Sequence, residues 1–567
     1  MHRLPFYLVA GLLAMLLTAS CSEQGKPPSP QFSVVEASFS ELQAAMAEGK
    51  TTSRQIVQQY LDRIARYEPA LQATMTVNPG ALARAEQLDK ERAAGQLRGP
   101  LHGIPIALKD NIHTTDMPTT GGALAFRGFV PPYEATLVTR LKEAGAIILA
   151  KTTLTELANW VGTGMPGNYN TLRGYGYNPY DPRPDPRPGL NDGRGILDTG
   201  GSSSGIGTAA NFWAANIGTE TSGSILSPAN STMLAAIKPT VGRISRYGII
   251  PITADQDTAG PLAKSVADAA ALLEAMEGKD KNDNATGVCP PLRESNYQTG
   301  LKRDALQGAR IGIPRDYFYE ALETPFSDTP IGGLNDARAQ AMEKAIALLR
   351  AEGAIVVDPV QIPSIAATTA EDSALQFGIC YDAERGKPND EGCSVILKYG
   401  MKRDFNAWLA SLGDSAPVVT LTELREFNTA RQAAGAIRYG QAQLDISDEM
   451  DVVADAERYQ ADRAKDIRLS RAQGIDAALT SHKLDALLMP SWFGEEMLNK
   501  AGYPAVMVPF TTIASDHTPA LPADFKPVPS RFGVAFYGSA CSEGRLIALA
   551  YGFEQATKAR VAPPQFP

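Results

Sequence analysis

The stretch GIPIALKDNIHTTDMPTTGGALAFRGFVPPYEATLVTRLKEAGAIILA, Gly103 to Ala150, decides the fold. Its ends, GIPIAL and AGAIILA, are short apolar runs bounded by glycine and polar residues, the pattern of buried strands. Between them EATLVTRLKEAG, Glu134 to Gly145, reads as a helix. Strand, helix, strand in that order predicts an α/β fold with a largely parallel sheet.

Working outward, TTSRQIVQQYLDRIARYEP predicts an amphipathic helix. Ile56, Tyr60 and Ile64 recur every four residues, Val57 and Leu61 widen the stripe, and Thr52 or Ser53 caps it. GALARAEQLDKERAAGQ reads as a second helix. Downstream, SVADAAALLEAMEG and DARAQAMEKAIALLRAEGA predict helices, while ARIGIP, AIVVDPV, LDALLMPS, AVMVPF and RFGVAFYG predict strands. RLIALAYGFEQATKA closes the chain as a helix. YNPYDPRPDPRPGLNDGRG, Tyr177 to Gly195, holds five prolines and three glycines, so it predicts a surface loop. It is either a rim over the stretch that follows or a decorative insertion.

The chain has 567 residues, 44% of them hydrophobic and 20% charged, which suits a soluble globular protein with a large core. The formal net charge is −9 and no Lys/Arg cluster stands out, which argues against nucleic acid as a partner. The N-terminus has a basic start (His2, Arg3), an apolar core from Leu4 to Leu17 and small residues at 18–20, the layout of an export signal. Ending on Cys21, it resembles a bacterial lipoprotein signal, although Thr18 stands where a leucine is usual. The expectation is a signal peptide over 1–20, a lipidated Cys21 and a flexible tether over 21–32. The protein would then sit on the periplasmic side, anchored to the outer membrane through Cys21 alone. Of the remaining cysteines, Cys380 and Cys393 flank a polar segment and suit a disulfide; four buried thiols is the other reading. No Cys/His spacing suggests a metal.

The chemistry points to TGGSSSGIGTAANFWAANIGTETSGS, Thr199 to Ser224, rich in serine and glycine and without histidine. A serine hydroxyl needs a base before it attacks. GSSSG satisfies G-x-S-x-G and offers Ser203, with His482 or His517 as partner, but no apolar strand precedes it. Lys109 is the other candidate base. It ends the apolar strand GIPIAL, and a lysine brought out of a hydrophobic layer can be neutral. The N–H groups of Thr221, Ser222, Gly223 and Ser224 can converge on one point, as an oxyanion hole requires.

GIPIALKDNI, GGSSSG, IGTETSGSILSPA, IKPTVGRISRYGIIP and DTAGPLAKSVADAAALL, in that order, resemble the amidase signature family. LDALLMP, AGYPAVMVPF and GFEQATKAR extend the likeness over nearly all of the chain. The resemblance implies one large α/β domain over 33–567, with its motif core at about 96–275 and a mixed, mostly parallel sheet sandwiched between helices. It implies a Ser–cis-Ser–Lys triad in which Ser224 is the nucleophile, Ser202 the middle serine and Lys109 the base. The peptide bond before Ser202 would be cis, and Thr221 to Ser224 would hold the oxyanion. No metal or organic cofactor is implied, and the partner is a small-molecule amide. Between Ser202 and Ser224 the chain is two residues shorter than the family pattern. Placing the gap in a helix IGTAANFWAAN keeps Ser202; placing it elsewhere shifts the role to Ser203. Leu226 stands where many members carry Arg, which predicts a neutral substrate, and the motifs look most like the peptide-amidase-like branch. The expected activity is hydrolysis of linear amides. The alternatives are a non-catalytic amide-binding lipoprotein and an ammonia-supplying component of the amidotransferase type.

Overall fold

In the computed structural model the described residues are 32–201, 204–290 and 297–567. The signal, Cys21 and nearly all of the tether lie outside them. The strands in chain order are β1 (Thr74–Val77), β2 (Pro105–Lys109), β3 (Ile147–Thr152), β4 (Tyr169–Asn170), β5 (Gly174–Tyr175), β6 (Ala215–Glu220), β7 (Ala235–Lys238) and β8 (Thr258–Ala263). They continue with β9 (Arg310–Gly312), β10 (Ala321–Leu322), β11 (Ile331–Gly332), β12 (Ile355–Val357), β13 (Ala486–Pro490), β14 (Ala505–Ile513) and β15 (Ser530–Tyr537). Eleven of them form one mixed sheet in the order β1-β3-β2-β6-β8-β7-β14-β15-β13-β9-β12, and β4–β5 and β10–β11 pair separately. The run β3–β2–β6 and the run β12–β9–β13 are parallel. From β6 through β8, β7, β14 and β15 to β13 the neighbours are antiparallel.

The helices that frame the site are α1 (Phe39–Ala47), α2 (Ser53–Leu71), α3 (Ala81–Ala93), α4 (Thr136–Glu143), α5 (Ile206–Ala209), α6 (Leu226–Ser231) and α7 (Val266–Met276). In α2 the side chains of Thr52 and Gln55 bond each other's backbone N–H, and Ile56, Val57, Tyr60 and Ile64 are buried, as the four-residue spacing predicts. The Gly103–Ala150 stretch forms β2, α4 and β3 as expected, and α4 packs against α7. One apolar core spans the sheet and the helices on it, from Val34 to Phe566. The fold is thus a single large α/β domain with a mixed sheet between helices. A second cluster, around Phe126, Trp160, Phe405 and Trp408, joins residues between 123 and 175 and at 250 and 252 to helices between residues 396 and 448.

Two local expectations change. The helix IGTAANFWAAN is only the four-residue α5: Asn211 takes φ +57°, and the chain becomes strand at Ala215. Trp213 folds back, its Nε1 donating to Thr208 Oγ1 at 2.8 Å, while Arg63 donates to the carbonyls of Ala210 and Asn211. The Pro-rich segment is no surface loop throughout, since Tyr180, Asp181, Asp185 and Arg187 are buried. Its Asp-x-Arg repeats close on themselves (Asp181–Arg183 and Asp185–Arg187 at 2.6 Å, Asp192–Arg194 at 2.7 Å). Arg183 and Arg187 then donate to carbonyls of Lys526, Thr518 and Pro519, docking the segment on the chain before β15. The described cysteines form two disulfides: Cys380–Cys393, the pair that the flanking segment suits, and Cys289–Cys541, to which no local spacing points.

Candidate active site

β2 lies between β3 and β6, and all five of its residues are buried. Its last residue, Lys109, is therefore carried out of the apolar layer at the strand's end. Lys109 is 0% exposed, and its Nζ donates to Thr219 Oγ1 at 2.7 Å and to Thr219 O at 3.2 Å. Asn111 Nδ2 reaches the same hydroxyl at 3.0 Å. Burial pushes the Lys109 ammonium down to about 7, against the opposing pull of Asp257 and Glu220. A base with that pKa is half neutral at neutral pH, which suits general base work.

Thr219 and Glu220 end β6, and the chain then turns through Thr221, Ser222 and Gly223 to Ser224, just before α6. Two carboxylates shape this turn. Glu220 Oε2 accepts the N–H groups of Ile225 and Leu226 at 2.7 and 3.0 Å, and its Oε1 accepts Asn499 Nδ2 at 3.0 Å. Asp257 accepts the Thr221 hydroxyl on Oδ1 at 2.5 Å, and the N–H groups of Ile252 and Thr253 on Oδ2 at 2.9 and 3.0 Å. Burial pushes the Asp257 carboxyl up to about 7. Gly223 holds φ +74°, the left-handed region that glycine enters without strain. Among the described residues the N–H groups of Thr221, Ser222, Gly223 and Ser224 donate to no acceptor, which leaves them for a ligand oxygen.

The serine-rich loop presses on this turn. A methyl group on Gly201 would lie 2.9 Å from Ser224 Cα and 3.2 Å from Ser224 Oγ. Ser224 itself is 7% exposed. The structure thus brings Lys109, the turn from Thr221 to Ser224 and Gly201 to one place. Ser202, Ser203 and the peptide bond expected to be cis lie outside the described residues. The other base candidates lie elsewhere: the carbonyl of His482 is bonded by Arg310, and His517 stands among Arg187, Asp185 and Asp516. The six residues before Ser202 form no strand, so the nucleophile-elbow reading lacks its scaffold.

The Leu226 side chain is 0% exposed within the main core and is not among the residues that line the two cavities near the turn. Sequence reasoning missed Thr219, Glu220 and Asp257. The one visible signal was an acid, Glu220, closing an apolar run ahead of a Ser/Gly turn.

Two cavities meet at Trp492, whose ring would lie 3.3 Å from a methyl on Gly223. One, of about 330 Å³, is bordered by Asn178, Asp198, Asn230, Arg531 and Phe532. Of the Pro-rich segment only Asn178 lines it, with Leu197 and Asp198 just beyond the segment's end. The other, of about 310 Å³, is mostly apolar.

Residues 55–520 match a family model described as Amidase. A protein of Arabidopsis thaliana named probable amidase is 33% identical over 545 residues, covering 95% of this chain and 93% of its own. The X-ray structure of the native peptide amidase from Stenotrophomonas maltophilia superposes with a TM-score of 0.75 at 35% identity, covering 93% of this chain and 98% of the other. A component of the glutamyl-tRNA(Gln) amidotransferase of Chloroflexus aurantiacus is 39% identical over 324 residues, 57% of this chain and 59% of its own.

Proposed function

The chain belongs to the amidase family and is an amide-hydrolysing enzyme; from that premise we propose an exported hydrolase of neutral linear amides that works through an acyl-Ser224 intermediate. Neutral Lys109 takes a proton from Ser202, which takes one from Ser224. The Ser224 oxygen attacks the amide carbonyl carbon, and the N–H groups of Thr221 to Ser224 hold the oxyanion. The proton passes back through Ser202 to the leaving nitrogen, the C–N bond breaks, and ammonia or an amine departs. Water then attacks the acyl ester by the same relay, releasing the acid and restoring the Ser224 hydroxyl. No step calls on a metal or an organic cofactor.

The observation that carries this reading is the burial of Lys109 at the root of the turn, with its Nζ on Thr219, together with the close approach of Gly201 to Ser224. Peptide C-terminal amides, aliphatic amides and aryl amides are the substrate classes. The apolar cavity and the likeness to a peptide amidase support the first of these. The test is ammonia and amine release from a panel of these amides and one carboxylated amide, with Ser224→Ala as control. Turnover of a neutral amide that Ser224→Ala abolishes is the expected result. Equal rates in parent and variant would remove Ser224 from the reaction.

Export is supported by the signal-like start and by the two disulfides, which persist in oxidising compartments. The anchor is Cys21, and Cys21→Ala is expected to move the protein from the membrane fraction to the soluble one.

A further inference from the structure

The 310 Å³ cavity is walled by Tyr317, Phe318, Leu375, Phe377 and Met497, and three acids line it as well, Asp466, Glu495 and Glu496. A methyl on Gly223 would lie 3.4 Å from Glu495 Cγ. Lys500, the cation of this cavity, is held by Asp466 at 3.0 Å and Glu496 at 3.3 Å and also donates to Phe377 O. Among the described residues Glu495 has no ion pair, and its carboxyl bonds only its own backbone N–H. The titratable groups around it are Glu496, Glu220, Tyr317 and Tyr537. Burial first, then the charges of Glu496 and Glu220, push Glu495 up to about 8, so it is largely a neutral acid at neutral pH. A neutral carboxyl offers one O–H donor and one carbonyl acceptor side by side. A secondary amide presents the matching C=O and N–H.

We propose that Glu495 is the specificity residue of the acyl side: it hydrogen-bonds a peptide group in the acyl part of the substrate, while an apolar side chain of that acyl part fills the adjoining cavity. The preferred substrate is then an N-acylated apolar amino-acid amide rather than a plain arylalkyl amide. This rests on the amidase reading and deepens it.

The test separates the two by measuring binding rather than turnover. The whole chain carrying Ser224→Ala is titrated calorimetrically with N-acetylphenylalanine amide and with 3-phenylpropanamide, which lacks the α-nitrogen. The expected result is about tenfold tighter binding of the acetylated ligand, the size of one or two net hydrogen bonds. Adding Glu495→Leu brings the ratio close to one, and adding Glu495→Gln, which keeps a donor and an acceptor, retains most of it. With Glu495 present the ratio falls as pH passes 8; with Gln it stays level. An undiminished ratio in the Leu variant, a ratio near one with Glu495 in place, or no binding of either ligand overturns the proposal. If the Leu variant does not fold, the pH dependence against the Gln variant decides in the same way. Failure of the Ser224-intact enzyme to hydrolyse any amide would instead strike the proposed function and leave the binding ratio standing.

Discussion

Lys109 ends a strand with no exposed residue, and its pKa of about 7 has consequences for both rate and stability. As base it works only unprotonated, so kcat should climb through a limb near pH 7 and level off above it. Asp257 raises the Lys109 pKa, so Asp257→Asn should move that limb to lower pH, as a kcat–pH profile would register. The substitution fits: a rotated amide presents its oxygen to Ile252 and Thr253 and its NH₂ to the Thr221 hydroxyl, which can accept. The limb belongs to the coupled cluster of Lys109 and Asp257 rather than to one group. For stability the sign runs with pH. Between about 7 and 10.5 the unfolded chain holds the lysine proton and the folded chain does not, so stability rises with pH across that window. Below pH 7 the full cost of burying the ammonium is present. Lys109→Met should therefore be inactive yet more stable than the parent at pH 6, by about 1 kcal/mol or more, with the gap closing toward pH 10. Asn111 still satisfies the Thr219 hydroxyl in that variant. Urea midpoints at the two pH values measure the difference.

Among the elements, the decisive contact is between the loop at Gly201 and the turn at Ser224. A Cβ at 201 would sit 2.9 Å from Ser224 Cα, against backbone that cannot swing aside as a side chain can. Gly201→Ala should then lower kcat about 100-fold, as misplacement of a reacting group by an ångström does, while the far-UV spectrum stays that of the parent. Steady-state kinetics on one neutral amide measures it. The same two segments show what the sequence made legible. β2, β3 and α2 were readable because apolar runs and a cap at Thr52 or Ser53 mark them locally. β6 and β8 were not: ANIGTE mixes small and polar residues, and TAGPLA places Pro261 inside the sheet opposite Ile217, where proline argues against a strand. β6 is nevertheless the element that brings Thr219 to Lys109 and starts the turn. Lys109 and Ser224 were therefore legible as residue types in motifs. Thr219, Glu220 and Asp257 matter through tertiary pairing across β6 and β8, which no local pattern encodes.

At the scale of the whole molecule, the Cys289–Cys541 disulfide joins positions 252 residues apart, tying the chain beyond α7 to the entrance of the C-terminal helix Glu543–Thr557. That helix packs on β14 and α7, and so buttresses the antiparallel middle of the sheet that continues to the turn at Ser224. The Cys380–Cys393 bridge closes a separation of only 13 residues, next to the helical block. A cross-link stabilises chiefly by restricting the unfolded chain, and the long loop restricts it more. Cys289→Ser with Cys541→Ser should thus cost about 2–4 kcal/mol, and more than Cys380→Ser with Cys393→Ser. Paired chemical denaturation of the two double variants gives the order, and a reversed order would mean that native-state strain outweighs loop closure. The same bridges test the compartment. Protein purified from its envelope without reductant and unfolded in alkylating agent should take up no label at Cys289, Cys380, Cys393 or Cys541. Labelling at all four would place folding in a reducing compartment and remove the support that the disulfides lend to export.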